Sequence, residues 1–328
     1  MNKLSKNINL PLNLNSVKVA EKFKKLLFTI LRLAILISIG YIIIYPLLEM
    51  IATSLKTREA FYDAARVWIP SSINAKHNYG VAIKAIDYFG GLKSTIINEL
   101  LAAMIEIMTC AVVAYGFARF KFKFKRFFTT ILFLTILIPE AMVIIPRVAD
   151  YANLDIFGIL GLINKLTGVD LRPNIIGTPL AFWLPSLFAI GLRSGILIYI
   201  YMQFFKSLPY ELEEAAWIDG AGPIKTFVSI SLPSSSVVFT TTTVFSVIWH
   251  WNDTLLGSMY MGKDFTLAVN LSRIVATLSN IGYNTFSDIT TKAITIAACV
   301  LFVIPPLIFY MILQRRFIES IDRVGITG

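Results

Sequence analysis

Long apolar segments separated by polar loops run through most of this chain. A helix that crosses a bilayer needs about 20 predominantly apolar residues, and six segments reach that length. They are Leu33–Ala52, Thr95–Phe117, Phe127–Ile145, Leu180–Phe205, Ser234–Trp251 and Ile289–Leu313. The pattern therefore predicts an all-α polytopic membrane protein with six transmembrane helices.

The composition agrees with this architecture. Hydrophobic residues make up 56% of the chain and charged residues 15%, whereas about 25% of the residues in a soluble domain are charged. One soluble core cannot bury that much apolar surface. The first apolar segment is too long for a signal peptide and no small-residue cleavage site follows it, so we expect it to remain as a helix.

The basic residues predict the orientation in the membrane. The loop 118–126 carries Arg119, Lys121, Lys123, Lys125 and Arg126 and no acid, and the N-terminal arm 1–32 is rich in lysine. Cytoplasmic loops are enriched in Lys and Arg, so both termini, including the tail 314–328, are expected in the cytoplasm around a transmembrane domain 33–313. The bias is modest because the segment 53–94 on the other side is also basic.

Other sequence features assign no further chemistry. The net charge of +10 comes without an RNA- or DNA-binding motif, so nucleic acid is not expected as a partner and membrane lipid is. Cys110 and Cys299 lie in apolar segments without metal-site or disulfide spacing and are predicted to be small buried hydrophobes. Residues 257–264 imitate a phosphate-binding loop but end in Asp264, which would repel phosphate. The outer segments 53–94 and 252–288 are long enough for short interfacial helices.

The loop 206–233 has its own helical pattern. Pro209 suits a first helical turn, and the acids after it complement the dipole of a helix N-terminus. Gly220 supplies a helix stop, Gly222-Pro223 starts a second short helix, and Pro233 opens the next span. The sequence therefore predicts a helix, a glycine turn and a second helix along one face of the membrane.

Seven positions of this loop form a spaced motif: Glu214, Ala215, Ala216, Gly220, Ile230, Leu232 and Pro233. The motif resembles the EAA loop of ABC importer permeases. The flanking residues 203–209 and Trp251-Asn252-Asp253 resemble the sugar-importing, maltose-permease-like branch of that family. One position departs from the pattern, because many relatives have Arg where this chain has Met202.

The resemblance implies a type I ABC importer permease fold in a prokaryotic cell membrane. It implies four kinds of partner: a second homologous permease, two ABC ATPase subunits, an extracytoplasmic solute-binding protein, and a sugar or oligosaccharide. ATP and Mg²⁺ would bind the ATPase subunits, so this chain would have no cofactor, no metal and no catalytic residue. The loop would couple ATPase closure to transport through Glu214, Ala215, Ala216, Asp219, Gly220 and Ala221.

Alternatives stay open at this point. On composition alone the acids of the loop would be a solvated acidic surface. On the first helix Leu212, Ala215 and Ala216 share a face at helical spacing, which predicts a close approach by another protein.

The substrate could be a peptide or amino acid instead of a sugar. A different class of function is a membrane-embedded enzyme or an ion-coupled carrier, with Glu99, Glu106 and Arg193 as its reactive groups.

Polar residues within the apolar segments are the candidate substrate pathway. Arg193 lies near the middle of the fourth segment between Gly191 and Gly195, where a charge is costly and should face a cavity or a partner; alternatively it extends from an external helix end. Trp249, Trp251 and Asn252 end the fifth segment, where they would contact a sugar or form an interfacial aromatic belt.

Two acidic residues lie within the second apolar segment, Thr95–Phe117. Glu99 and Glu106 are seven residues apart and so lie roughly on one helical face, where a pairing with another helix is the favoured interpretation over proton coupling. Pro139 and Glu140 are expected to break the third segment.

Overall fold

The computed structural model describes residues 14–63, 68–155, 158–285 and 288–325, with side chains described from residue 22 to residue 315 within these ranges. Most of these residues are helical. In the described ranges the only β-type pairing is an isolated bridge between Lys56 and Ile73, so the all-α prediction is confirmed.

The first half of the chain contains one long helix and several shorter ones. In order, they are α1 (Leu14–Leu55), α2 (Ala75–Ala85), α3 (Tyr88–Ser94), a π-helical turn (Thr95–Leu100), α4 (Leu101–Arg119), α5 (Lys125–Leu137), α6 (Glu140–Ala152) and α7 (Ile159–Thr167).

The second half ends in another long helix. It contains α8 (Leu180–Leu187), α9 (Ser194–Ser207), α10 (Glu211–Ile218), α11 (Pro223–Thr226), a π-helical turn (Phe227–Ser231), α12 (Leu232–Ser234), α13 (Ser236–Trp251), α14 (Leu255–Tyr260), α15 (Leu267–Ser272), α16 (Ile274–Asn280) and α17 (Ile289–Gly325). As expected, the two outer segments hold short helices.

Within the described residues, three helices are long and apolar enough to cross a bilayer: Lys22–Leu55, Tyr88–Arg119 and Ile289–Arg315. Two pairs of bent helices are long and apolar enough only when each pair is taken together. The helices α5 and α6 meet at 102°, and Pro223–Ser234 meets α13 at 78°. The first bend lies at Ile138 and Pro139, where the sequence predicts a break because proline removes a helical hydrogen bond.

The predicted span Leu180–Phe205 is not one helix. It is divided into α8 and α9 by the residues 188–193, in which Ala189 and Arg193 have positive φ angles of 55° and 59°. At 1.5 Å per residue, α8 is only about 12 Å long. By length and hydropathy the described residues thus contain three unbroken spans, or five if each bent pair counts as one, and the count of six remains a prediction.

The terminal helices extend beyond the predicted domain boundaries. α1 begins at Leu14 within the expected arm, and α17 continues past Leu313 to Gly325. Residues 1–13 of the expected arm lie outside the described ranges. The division into an arm 1–32, a permease domain 33–313 and a tail 314–328 therefore remains an expectation.

Helix α4 is the centre of the bundle and contacts α8, α9 and α13. Its small residues Ala102, Ala103, Ala111 and Ala114 are fully buried, which lets neighbouring backbones approach closely. In contrast, α1 packs mainly against α17 and α2, and most of its apolar side chains are exposed.

Candidate functional site

The polar loop after α9 folds as the sequence predicts. Helix α10 ends at Ile218, Gly220 follows with a φ angle of +80°, and α11 begins at Pro223. A positive φ is strained for residues with a Cβ, so glycine suits this turn. The predicted helix–glycine–helix arrangement is confirmed.

Helix α10 has an inner and an outer face. Glu213 and Ala216 are buried, three residues apart on the inner face, whereas Glu214, Ala215 and Leu212 are exposed. The predicted common outer face of Leu212, Ala215 and Ala216 is therefore wrong for Ala216. Its Cβ points towards the rest of this chain because residues at i and i+3 share one side of a helix.

A buried ion pair fastens the inner face of α10 to the end of α4. The Nε of Arg119 lies 2.9 Å from Oε1 of Glu213, and both side chains are less than a tenth exposed. The Oγ of Ser231 donates a hydrogen bond of 3.2 Å to the same carboxylate oxygen. A second guanidinium nitrogen of Arg119 donates to the carbonyl of Leu208 at 2.8 Å. Arg119 therefore links the end of α4 to the loop 206–233.

The sequence analysis missed this pair. Arg119 was assigned to the basic loop and Glu213 to the acidic one. The signal that could have revealed it is topological: α4 ends on the same side of the membrane at which the loop begins, so the last arginine of one segment meets an acid of the next.

A second polar network lies within the bundle. The ring of His250 on α13 bridges two carboxylates of the Tyr88–Arg119 span, with Nδ1 at 2.7 Å from Glu99 Oε2 and Nε2 at 3.0 Å from Glu106 Oε2. All three side chains are essentially fully buried. The expected pairing of Glu99 and Glu106 with another helix is thus observed. In the described part of the chain, no group of three His, Cys, Asp or Glu residues could hold a metal ion.

Glu106 also connects α4 to the start of α9. Its Oε1 accepts a short hydrogen bond from Ser194 Oγ. Gly191 makes room for this carboxylate, since a Cβ at that position would lie 2.9 Å from Oε1. The side chain of Glu106 therefore contacts Ser194, the residue after Arg193, and His250, the residue after Trp249.

The structure brings Arg193 and Trp249 together. Arg193 is exposed at the N-terminus of α9, and its guanidinium carbon lies 5.0 Å from the centre of the Trp249 ring. This distance is typical of a cation–π contact. Trp249 is half-buried, and only Arg193 of the pair is exposed.

The other two predicted pathway residues lie elsewhere. Trp251 is 3% exposed and packs against Phe302 of α17 in the apolar core. Asn252 is exposed, and its side-chain amide donates to the carbonyl of Ile248. Asp253 accepts a hydrogen bond from the backbone N–H of Gly257 at 2.8 Å, and burial raises the pKa of its carboxyl. Asp253, which follows Trp251 and Asn252 in the chain, thus has a structural role.

Comparison with known proteins places these features in a family. Residues 107–323 match the family described as the binding-protein-dependent transport system inner membrane component. The chain belongs to this family. It is a permease subunit of an ABC importer, a transport subunit and not an enzyme, and such importers work with a binding protein and an ATPase.

Curated relatives of the permease cover most of its length. The sn-glycerol-3-phosphate transport system permease protein UgpE of Shigella flexneri is 25% identical over 285 residues, which are 85% of this chain and 91% of that protein. The osmoprotective compounds uptake permease protein GgtD of Synechocystis is 26% identical over 298 residues, 87% of this chain and 88% of the relative.

A solved structure supports the fold. A chain of a bacterial ABC transporter involved in the import of the acidic polysaccharide alginate superimposes with a TM-score of 0.65 at 18% identity. The superposition covers 90% of the permease and 98% of the other chain. The permease thus has the fold of an ABC importer permease.

Met202, at the position where many relatives have Arg, is buried in the permease. Met202 is 2% exposed and lies in the core cluster with Tyr201 and Phe205. An arginine here would have to place its charge among apolar side chains, which is costly without a partner. Methionine fills the same volume with an apolar side chain.

Proposed function

We propose that the permease is one of two homologous transmembrane subunits of a sugar or oligosaccharide importer, and that the loop 206–233 receives the movement of an ATPase subunit. The observation that carries this proposal is the division of the loop into two faces. Glu213 is fastened inward to Arg119, while apolar side chains on the other face have no cover within the described chain.

The outer face has the character of a protein interface. Ile218 of α10 is 86% exposed and Ile224 of α11 is 81% exposed, beside the exposed Glu214 and Ala215. Large apolar side chains in such a group indicate an interaction site. The small side chain of Ala215 and the absence of one at Gly220 allow a partner to come close, and the carboxylate of Glu214 would pair with a basic residue of the ATPase.

The ion pair gives this docking a mechanical consequence. ATP and Mg²⁺ bound to the ATPase subunits drive their closure, which moves α10. Because Arg119 ends α4 and α4 contacts α8, α9 and α13, the displacement reaches the helices around Glu106 and the Arg193–Trp249 pair. The two permeases then alternate access across the membrane, and no bond is made or broken in this chain.

The substrate class is inferred from the relatives and from the contact between Arg193 and Trp249. UgpE is named for sn-glycerol-3-phosphate, GgtD for osmoprotective compounds, and the solved importer for an acidic polysaccharide. An aromatic ring beside a guanidinium suits a hydroxylated compound, because the ring stacks on a sugar and the guanidinium donates hydrogen bonds to oxygen atoms. The solute-binding protein would deliver such a substrate from the outer side, with both termini of the permease in the cytoplasm.

Substitutions in the loop test the coupling. Glu214→Lys reverses the charge on the outer face, and Gly220→Pro imposes a φ near −65° on a residue at +80°. Both variants are expected to insert normally but to lose substrate uptake and release the ATPase from the purified complex. Gly168→Pro is a matched control, because Gly168 also has a positive φ and open space around it but lies after α7. Normal uptake with a stably bound ATPase in both loop variants would contradict the proposal.

A further inference from the structure

A basic and aromatic groove lies beside the polar loop at the start of α5. Its volume is about 800 Å³, and its lining includes Lys121, Lys125, Arg126, Phe122, Phe124 and Phe133. The groove is on the same side of the membrane as the loop 206–233, because the Arg119–Glu213 pair joins the two loops directly.

The cations of the groove lack acidic partners. Within the described residues no salt bridge involves Lys121, Lys125 or Arg126, and Lys125 donates only to the carbonyl of Phe120. Lys206 at the end of α9 lies close enough to Lys125 to repel it electrostatically. An uncompensated group of cations next to a membrane attracts an anion.

The walls of the groove continue into an apolar helix surface. In α5 only Leu132 is buried, while Phe127, Leu134 and Leu137 are about half exposed or more. The helix has 13 residues and is therefore about 20 Å long, the length of a large part of one acyl chain. Cations at one end of an exposed apolar helix fit a molecule with an anionic head and hydrocarbon tails.

Phe124 strengthens the case for an amphiphilic ligand. It has a positive φ of 61°, which is strained for an aromatic residue, and its ring is 74% exposed at the mouth of the groove. A phenyl ring has no polar group, so an exposed one is suited to contact an apolar part of a ligand. The turn thus presents an aromatic ring between Lys123 and Lys125 instead of burying it.

We propose that this groove binds the headgroup of an anionic phospholipid, with the acyl chains along the exposed face of α5. Lys121, Lys125 and Arg126 hold the phosphate, and Phe124 lies beside the glycerol region. The site does not depend on the transported substrate or on docking of the ATPase.

The test uses the purified importer complex in nanodiscs of phosphatidylcholine with phosphatidylglycerol. Native mass spectrometry counts the phosphatidylglycerol molecules retained by the wild type and by the variant Lys121→Gln, Lys125→Gln, Arg126→Gln. Each cation near an anionic surface contributes about 1 kcal/mol, or about fivefold in affinity. We therefore expect Arg126→Gln alone to weaken phosphatidylglycerol retention about fivefold, and the triple variant to weaken it on the order of a hundredfold.

A control variant separates the groove from total charge. Lys76→Gln, Lys84→Gln and Lys93→Gln remove the same number of cations from exposed positions of α2 and α3, and this variant should retain phosphatidylglycerol like the wild type. Inorganic phosphate at millimolar concentration should not displace the lipid. Equal retention by the triple variant and the control, or displacement by free phosphate, would overturn the proposal. Loss of the ATPase subunit with lipid retention unchanged would also overturn it and assign the cations to a protein contact.

Discussion

Arg119 at the end of α4 and Glu213 on α10 form a buried ion pair with a separation of 2.9 Å. The pair joins the helix at the centre of the bundle to the loop that we propose contacts the ATPase. It also explains why two neighbouring acids of this loop have different surroundings, since Glu213 faces inward and Glu214 faces outward.

Replacing each of these acids in turn separates the two faces. Glu213→Ala leaves the Arg119 guanidinium buried without its partner, and removing one partner of a buried pair costs about 3–5 kcal/mol. We expect a lower melting temperature of the purified complex and loss of uptake. Glu214→Ala should leave the melting temperature unchanged and weaken ATPase retention instead. The same melting temperature for both variants would contradict the assignment of inner and outer faces.

The His250 network predicts a second stability effect. His250→Ala leaves the carboxylates of Glu99 and Glu106 buried together in the bundle without the imidazole that bridges them. Buried groups that lose a hydrogen-bonding partner are destabilised by about 1–3 kcal/mol, and more when they are charged. We expect a lower melting temperature and poor assembly. His77→Ala is the control, because the other histidine of the chain is exposed on α2 and its loss should have little effect.

The sequence predicted the helices and turns more accurately than the contacts between them. The apolar segments, the break at Pro139 and the turn at Gly220 follow from local composition and backbone chemistry, so they could be read directly. The division of the segment 180–205 could not, because Gly191 and Gly195 permit a break without requiring one. That break follows from tertiary contacts, including the hydrogen bond from Ser194 to Glu106.

The candidate site shows the same limit. The motif at Glu214, Ala215 and Gly220 identified the loop, but which side of α10 faces outward depends on Arg119, almost a hundred residues earlier in the chain. Trp249 and Trp251 look equivalent in the sequence. Being two residues apart in a helix, they point to different sides, so one meets Arg193 and the other enters the core.

The contact between Arg193 and Trp249 gives a prediction about transport. Arg193→Leu keeps an apolar side chain at this position but removes the charge over the ring. A cation–π contact contributes about 0.5–1 kcal/mol at an exposed site and more when water is excluded, so we expect uptake to fall about threefold or more, with assembly unchanged. Arg273→Leu is a matched control, because its guanidinium also lies over an aromatic ring, that of Phe265. Uptake like the wild type in Arg193→Leu would remove Arg193 from the pathway.

The proposed orientation can be measured with thiol reagents. In a background without Cys110 and Cys299, a cysteine at Lys123 should resist a membrane-impermeant maleimide in intact cells, and a cysteine at Asn174 should react. Both positions are exposed, so access depends on the side of the membrane. The reverse pattern of labelling would place the loop 206–233 outside and refute its contact with an ATPase.

Site-specific photocrosslinking measures directly whether the outer face of α10 contacts the ATPase. A photoreactive amino acid at Ile218, which is 86% exposed, is compared in the assembled importer with the same amino acid at Leu166 of α7, which is 77% exposed. We expect a crosslink to the ATPase subunit from position 218 and none from position 166. No crosslink from position 218 in a complex that still hydrolyses ATP, or equal crosslinking from both positions, would contradict it.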